Sequence, residues 1–197
     1  MKEDLIALLG SRICHDLISP IGAINNGLEL LALNGAAQGP EMALIAQSVE
    51  NASARLRFFR IAFGNPGGQN MTPIDIITIL DDMSRGSRTS FHWPGNQGAS
   101  RETVQLGFLA LMCLEEVIPY GGQITLTPDP EGLSVVARGE RTNKTAEAWE
   151  TMQSDRPEAN ISSSNIQFYI LPTIANFRGR GFQVVDRPDG LEIFITA

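Results

Sequence analysis

Residues 11–31 read SRICHDLISPIGAINNGLELL. Their apolar members Cys14, Leu17, Ile21, Ile24, Leu28 and Leu31 recur at alternating steps of three and four. This spacing keeps one side of an α-helix apolar and packs it as a seam in a bundle. A second stripe with the same steps runs Leu8, Arg12, His15, Ser19, Gly22, Asn26, Glu29, and it faces outward if the first faces in. His15 then points at solvent, with Ser11 below and Ser19 and Gly22 above, all short enough to let a folded partner reach the imidazole. Pro20 falls inside the pattern just past His15, where it removes the backbone bond to the carbonyl of Asp16 and bends the helix. On these residues alone two readings stand: a docking face around a reactive histidine, or a surface histidine beside a proline.

Composition bounds the rest. A chain of 197 residues with a net charge of −7 and 43% hydrophobic content is a soluble globular protein of one or two domains. No apolar run approaches the ~20 residues that span a bilayer, and the start MKEDLIALLGSR lacks the basic beginning and cleavage site of a secretory signal. The expectation is a cytoplasmic protein with no membrane partner. Cys14 on the seam and Cys113 in an apolar helix read as buried small hydrophobes of a reducing compartment, and no Cys or His spacing suggests a metal site. Acidic residues outnumber Lys and Arg by 22 to 15, which argues against nucleic acid.

The first helix is expected from about Glu3 to Leu33, roughly 45 Å long, ending at Asn34-Gly35. After Gly39-Pro40 the residues Met42, Ile45, Val49, Ala52, Leu56, Phe59 and Phe63 repeat the same steps, until Gly64-Asn65-Pro66-Gly67-Gly68 stops the pattern. Two antiparallel helices cannot enclose a core alone, so two hairpins pair into a four-helix bundle and the chain is expected to be a homodimer. Counting outward from the turn near Ala37 sets Phe59 level with His15, with Arg55 and Arg60 flanking the seam. With Arg12 they form a basic collar for an acidic partner, or simply a solvated helix face.

The helical hairpin occupies residues 1–66. From 70 to 197 the texture is α/β, with helices expected over Pro73–Arg85, Arg101–Ile118, Lys144–Gln153 and Ser163–Phe177. Strands are expected over Ser90–Trp93, Gln123–Thr127 and Leu133–Arg138, and a closing hairpin pairs Phe182–Val185 with Leu191–Ile195 across Pro188-Asp189-Gly190. His92, in Phe91-His92-Trp93-Pro94, reads as an edge-strand residue, since nothing catalytic surrounds it. Gly179-Arg180-Gly181 reads as a tight turn between helix and strand.

His15-Asp16-Leu17-Ile18-Ser19-Pro20 resembles the phospho-accepting box of dimeric histidine kinases, in which an acid follows the histidine and a proline lies five positions on. The fuller string, through Gly22-Ala23-Ile24-Asn25-Asn26-Gly27 and Glu29-Leu30-Leu31, is similar to the ChpT-type histidine phosphotransferases of alphaproteobacterial phosphorelays. The resemblance implies that His15 accepts a phosphoryl group from a receiver-domain aspartyl-phosphate of a hybrid kinase and passes it to a response-regulator receiver, with Mg²⁺ and the acidic pocket supplied by the receiver. Asp16 either orients the ring, accepts its second proton or is merely solvated. Leu8, Ser11, Arg12, Ser19, Gly22, Arg55 and Arg60 would meet the partner, and Pro20 would shape the helix.

The resemblance also implies a fold: a dimeric four-helix bundle followed by a histidine-kinase ATPase-like α/β sandwich. Here, however, the nucleotide residues are missing. Counted from Gly121-Gly122, the two asparagines that would hold Mg²⁺-ATP fall at Leu109 and Cys113, which offer no oxygen to a hard cation. The adenine-reading Asp-x-Gly-x-Gly falls near Ala137 to Arg141 and keeps only Gly139, and Asn165-Ile166-Gln167-Phe168-Tyr169 stands where a glycine-rich lid would cradle phosphates. No ATP binding and no cofactor of its own are expected. The competing function is a non-catalytic dimeric adaptor that binds and regulates receivers or kinases.

Overall fold

A computed structural model describes residues 10, 17–18, 21–22, 24–33, 39–143, 149, 152 and 165–197. By packing, the chain divides into two units at Asn65–Pro66.

In the first unit residues 10, 17–18, 21–22 and 24–33 are helical. The continuous run 24–33 is α1, and Pro40–Ala62 forms α2. Pro40 stands in the first turn of α2, where its missing N–H costs nothing, and Gly39 serves as N-cap without a side-chain bond. The seam read on α2 is one of two apolar stripes. Among the described residues the buried ones in its second half are Ala54, Leu56, Phe58, Ile61 and Ala62, whereas Phe59 and Phe63 are half-buried and Ile45 is 45% exposed in the single chain. Ala54, Phe58 and Ile61 are spaced by four and three, so α2 carries a second apolar stripe beside the first.

Gly10 packs closely against the C-terminal end of α2. A Cβ built there would lie 2.8 Å from the Phe63 carbonyl oxygen and 3.0 Å from its Cβ. Only a glycine lets the two backbones approach this far, which explains a residue that otherwise weakens a helix. Gly22, by contrast, has nothing within 4 Å of such a Cβ.

The second unit is a mixed α/β sandwich. Its elements are β1 (Asn70–Met71), α3 (Pro73–Ser84), β2 (Thr89–His92), β3 (Ala99–Ser100), α4 (Arg101–Glu115), β4 (Gly122–Asp129), β5 (Gly132–Arg138), α5 (Gln167–Phe177), β6 (Phe182–Arg187) and β7 (Gly190–Thr196). The main sheet has the order β2-β4-β5-β7-β6, with β2 parallel to β4 and every other pair antiparallel. The short pair β1–β3 has no pattern visible in the sequence, because two residues are too few for alternation. The helix ending expected at Ile118 comes at Glu115, and the start expected at Ser163 comes at Gln167. Of the helix expected over 144–153 only Trp149 and Met152 are described, both buried.

Local chemistry sets the ends. Thr72 caps α3 through a reciprocal pair: its hydroxyl accepts from the Asp75 N–H while the Asp75 carboxylate accepts from the Thr72 N–H. Ser100 caps α4 by accepting from the Thr103 N–H at 3.1 Å. One face of the sheet is apolar by period-two alternation, with Ile124, Leu126, Leu133, Val135, Ala137, Leu191, Ile193 and Ile195 all buried. Each large side chain so buried contributes about 1.5–3 kcal/mol. α4 lies over β4, β5 and β7 and also packs against α5; it is therefore buried nearly all round, from Val104 through Leu111 and again at Cys113 and Leu114. The edge strand β2 is covered by α3, whose Ser84 hydroxyl accepts the outward N–H of Phe91 at 3.0 Å.

On the uncovered face Glu192 is only 6% exposed. It accepts from the Ser134 hydroxyl at 2.7 Å and from Arg187 Nε at 2.8 Å. Burial pushes its carboxyl pKa up, but these bonds and the charges of Arg187 and Arg138 outweigh that, so the net shift is downward.

Two outcomes follow from this packing. Gly10→Ala should destabilise the protein by about 1–3 kcal/mol through overpacking, while Gly22→Ala should stabilise it by about 0.5–1 kcal/mol, as read in chemical denaturation; stabilisation by both changes would refute the close approach at Gly10. Because the folded-state pKa of Glu192 is depressed, its contribution to stability is present above its ordinary value of 4.5 and is lost as pH falls through the lower folded value. Glu192→Gln should therefore flatten the fall in melting temperature below that pH, and an unchanged acid limb would contradict the assignment.

Candidate functional site

His15, Asp16, Leu8, Ser11, Arg12, Ser19 and Pro20 lie outside the described residues. In the helical unit, Gly10 meets Phe63 at the C-terminal end of α2. On α2 this level carries an aromatic cluster: Phe59 meets Phe58 edge-on at 5.9 Å and Phe63 at 5.7 Å between ring centroids. Phe58 is 1% exposed, so the cluster is anchored on one side and half open on the other.

Three of the proposed partner-facing residues are described. Gly22 is helical, exposed and surrounded by open space. Arg55 and Arg60 are both exposed. Being five positions apart, they are separated by about 140° around the helix at about 100° per residue, so they bracket the aromatic cluster instead of sharing one stripe. Neither has an ion pair among the described residues.

In the α/β unit, the positions that would hold a nucleotide have other work. Leu109 and Cys113 are 0% exposed and lie on one stripe of α4 with Gln105, at spacings of four. At Gln105 this stripe meets the end of α5: Arg178 donates to the Gln105 side-chain oxygen at 2.6 Å and to the Glu102 carbonyl at 3.3 Å. Burial lowers the Arg178 pKa, with Glu102 opposing and Arg180 adding to that shift. Burial also raises the Cys113 thiol well above its ordinary value, with the charge of Glu116 acting in the same direction; this thiol is a packing residue, not a nucleophile.

Gly139, the survivor of the adenine-reading pattern, is kept small by its neighbours. A Cβ there would stand 2.8 Å from Ile118 Cγ2 and 3.0 Å from the Gly121 carbonyl. Asn165 and Ile166 form a turn, and Gln167 and Phe168 open α5 with both side chains buried, Phe168 standing edge-on to Trp149 at 4.9 Å. A helix start packed on an indole occupies the place of the lid. Among the described residues, no group of three or more His, Cys, Asp or Glu could hold a metal ion.

His92 is exposed on β2, the edge strand, as its sequence context suggested, and Gly179-Arg180-Gly181 does form the turn between α5 and β6. Cys14 lies outside the described residues. Sequence reasoning missed Gly10, for which an isolated glycine inside a helical pattern was the available signal. It also missed the clasp of Arg178 on Gln105, for which a residue pair 73 positions apart leaves no local trace.

Comparison with known proteins places this geometry in context. Residues 74–190 match a family model described as "Histidine phosphotransferase C-terminal domain". The chain is 37% identical over 184 residues to "Protein phosphotransferase ChpT" of Brucella abortus (strain 2308), spanning 89% of this chain and 87% of that protein. A crystal structure described as a "Bacterial Phosphotransferase" superposes with a TM-score of 0.71 at 33% identity, over 98% of this chain and 95% of the other.

Proposed function

The chain belongs to the histidine phosphotransferase family, and from that membership we propose that it is a phosphorelay intermediate in which His15 carries the phosphoryl group. One observation carries the choice of residue. The chain has two histidines, His15 and His92, and His92 stands on the edge strand of the α/β unit without an acidic neighbour in sequence. His15 alone lies in the motif that resembles a phospho-accepting box.

The step needs little covalent help. The neutral imidazole nitrogen donates its lone pair to phosphorus, the bond from phosphorus to the donor aspartyl oxygen breaks, and that carboxylate leaves. The imidazole then yields the group to an acceptor carboxylate by the reverse route. Catalysis consists of in-line positioning and charge neutralisation, and the Mg²⁺ for it comes with the receiver domain of the hybrid kinase or response regulator. Asp16, adjacent in sequence, is assigned to holding the imidazolium-like transition state and the ring orientation. The basic residues Arg12, Arg55 and Arg60 suit an acidic receiver pocket, and the open space around Gly22 supports close approach there.

The working form is a homodimer closed by a four-helix bundle. In support, Leu17, Ile24, Leu31, Leu44 and Ile45 are between 45% and 64% exposed in the single chain. Each half-exposed side chain forgoes about 1 kcal/mol of burial that a second copy would supply. ATP has no place in this scheme: the side chains of Leu109 and Cys113 serve packing, and Gly139 has no room for one. No described helix is long and apolar enough to cross a membrane, and the relay is assigned to the cytoplasm.

Incubation with a phosphorylated receiver should place acid-labile, base-stable phosphate on the protein; binding without label would favour a regulatory adaptor instead. Gly22→Leu should slow this transfer at least tenfold with folding and dimerisation intact, and Arg12→Glu should slow it most at low salt, where steering is strongest. Unmutated rates in both would move the docking face elsewhere. Light scattering should report a dimer whose interface is of the obligate class, above ~2,000 Å², and Leu28→Asp should dissociate or unfold it; a monomer in the unmutated protein contradicts the bundle. Millimolar Mg²⁺-ATP should leave the melting temperature unchanged, since any ligand of the native state alone must raise it.

A further inference from the structure

A cavity of about 360 Å³ opens at the edge of the α/β unit, between α3 and β2. Its floor is apolar: Leu80, Phe91 and Trp93 are 0%, 2% and 4% exposed, and Ile77 is half-buried beside them. The floor is also held in shape. Trp93 Nε1 donates to the Gln97 carbonyl at 3.0 Å, and the Phe91 N–H is tied to Ser84. This is a preformed hollow, of a size at the lower end of the ~300–1,000 Å³ typical of ligand pockets.

Its rim is polar and uncommitted. Asp81 stands on α3, and His92 and Thr125 are register partners across β2 and β4, so their side chains lie side by side on the uncovered face of the sheet with Gln123. None of these four side chains has a hydrogen bond or ion pair among the described residues. The contrast is local. Asp82 is bridged to Arg85 at 3.3 Å, and Glu192 on the same sheet face is bonded to Ser134 and Arg187. Asp81 is thus a carboxylate without a countercharge at the mouth of an apolar hollow.

An apolar floor takes an aromatic or branched side chain, and an uncompensated carboxylate beside it favours a cation and rejects an anion. On the rim His92 and Gln123 are exposed and Thr125 is half-buried, and these side chains can hydrogen-bond the main chain of a polypeptide. We propose that this cavity docks a peptide segment of a partner protein in which an aromatic or branched apolar residue adjoins an arginine or lysine. The apolar side chain seats against Leu80 and Trp93, the cation pairs with Asp81, and His92, Gln123 and Thr125 face the main chain of the segment. The site is independent of His15, and its test does not involve phosphoryl transfer.

The test uses three capped dipeptides, acetyl-Phe-Arg-amide, acetyl-Phe-Glu-amide and acetyl-Ala-Arg-amide, titrated into the full chain. Trp93 and Trp149 are its two tryptophans, so in Trp149→Phe the fluorescence reports Trp93 alone. The ring-proton resonance of His92 in the unmutated protein gives the same readout should that variant not fold. Saturable binding of the Phe-Arg peptide is expected, at least fivefold tighter than that of the other two. Asp81→Lys should invert the preference toward Phe-Glu, and Ile77→Trp should fill the hollow and abolish binding. Absence of a saturable response at Trp93 or His92, equal affinities for the three peptides, or an unchanged preference in Asp81→Lys would overturn the proposal.

Discussion

The close approach of Gly10 to the carbonyl of Phe63 is the contact on which the helical unit depends. Two helices joined by a short turn can slide against each other by a turn at little cost in buried area, since an apolar stripe meets an apolar stripe in either register. A glycine packed directly on backbone removes that freedom. The contact stands four residues beyond Phe59, at the C-terminal end of α2. Around that level α2 offers aromatic side chains that are anchored by Phe58 and open at Phe59, with arginines to either side.

The α/β unit is tightly packed at the positions that the resemblance aligned with nucleotide ligands. Leu109 and Cys113 are inaccessible, Gly139 is held small by Ile118 and Gly121, and Gln167 and Phe168 open α5 with both side chains buried. Once a ligand no longer supplies contacts, an interior that stays open loses dispersion and burial on every lining side chain. Filling it with leucine, cysteine, tryptophan and phenylalanine restores both.

Much of this was legible in the sequence, and the exceptions have physical causes. The long helix Pro40–Ala62, the closing hairpin and the alternating strands declared themselves because each carries a regular apolar period. The capping bonds of Thr72 and Ser100 are local, and the helices expected from Pro73 and Arg101 start where those caps set them. The second stripe of α2 was not read because a count that follows one period does not register a neighbouring one. The pair β1–β3 left no signal: it is held by main-chain bonds, such as Arg101 N–H to the Gln69 carbonyl at 3.0 Å, which any residues could make. The cavity at Asp81 and His92 is assembled from α3, β2 and β4, and no single stretch contains it.

The central claim is that His15 is the relay point and His92 is not. It is tested most directly by a two-step transfer, in which a phosphorylated donor receiver is mixed with this protein and an acceptor receiver, and label on the acceptor is followed for the unmutated chain, His15→Gln and His92→Gln. The account predicts that the acceptor is labelled equally by the unmutated chain and His92→Gln and not at all above background by a folded, dimeric His15→Gln. Label reaching the acceptor through His15→Gln, or lost in His92→Gln, would contradict it.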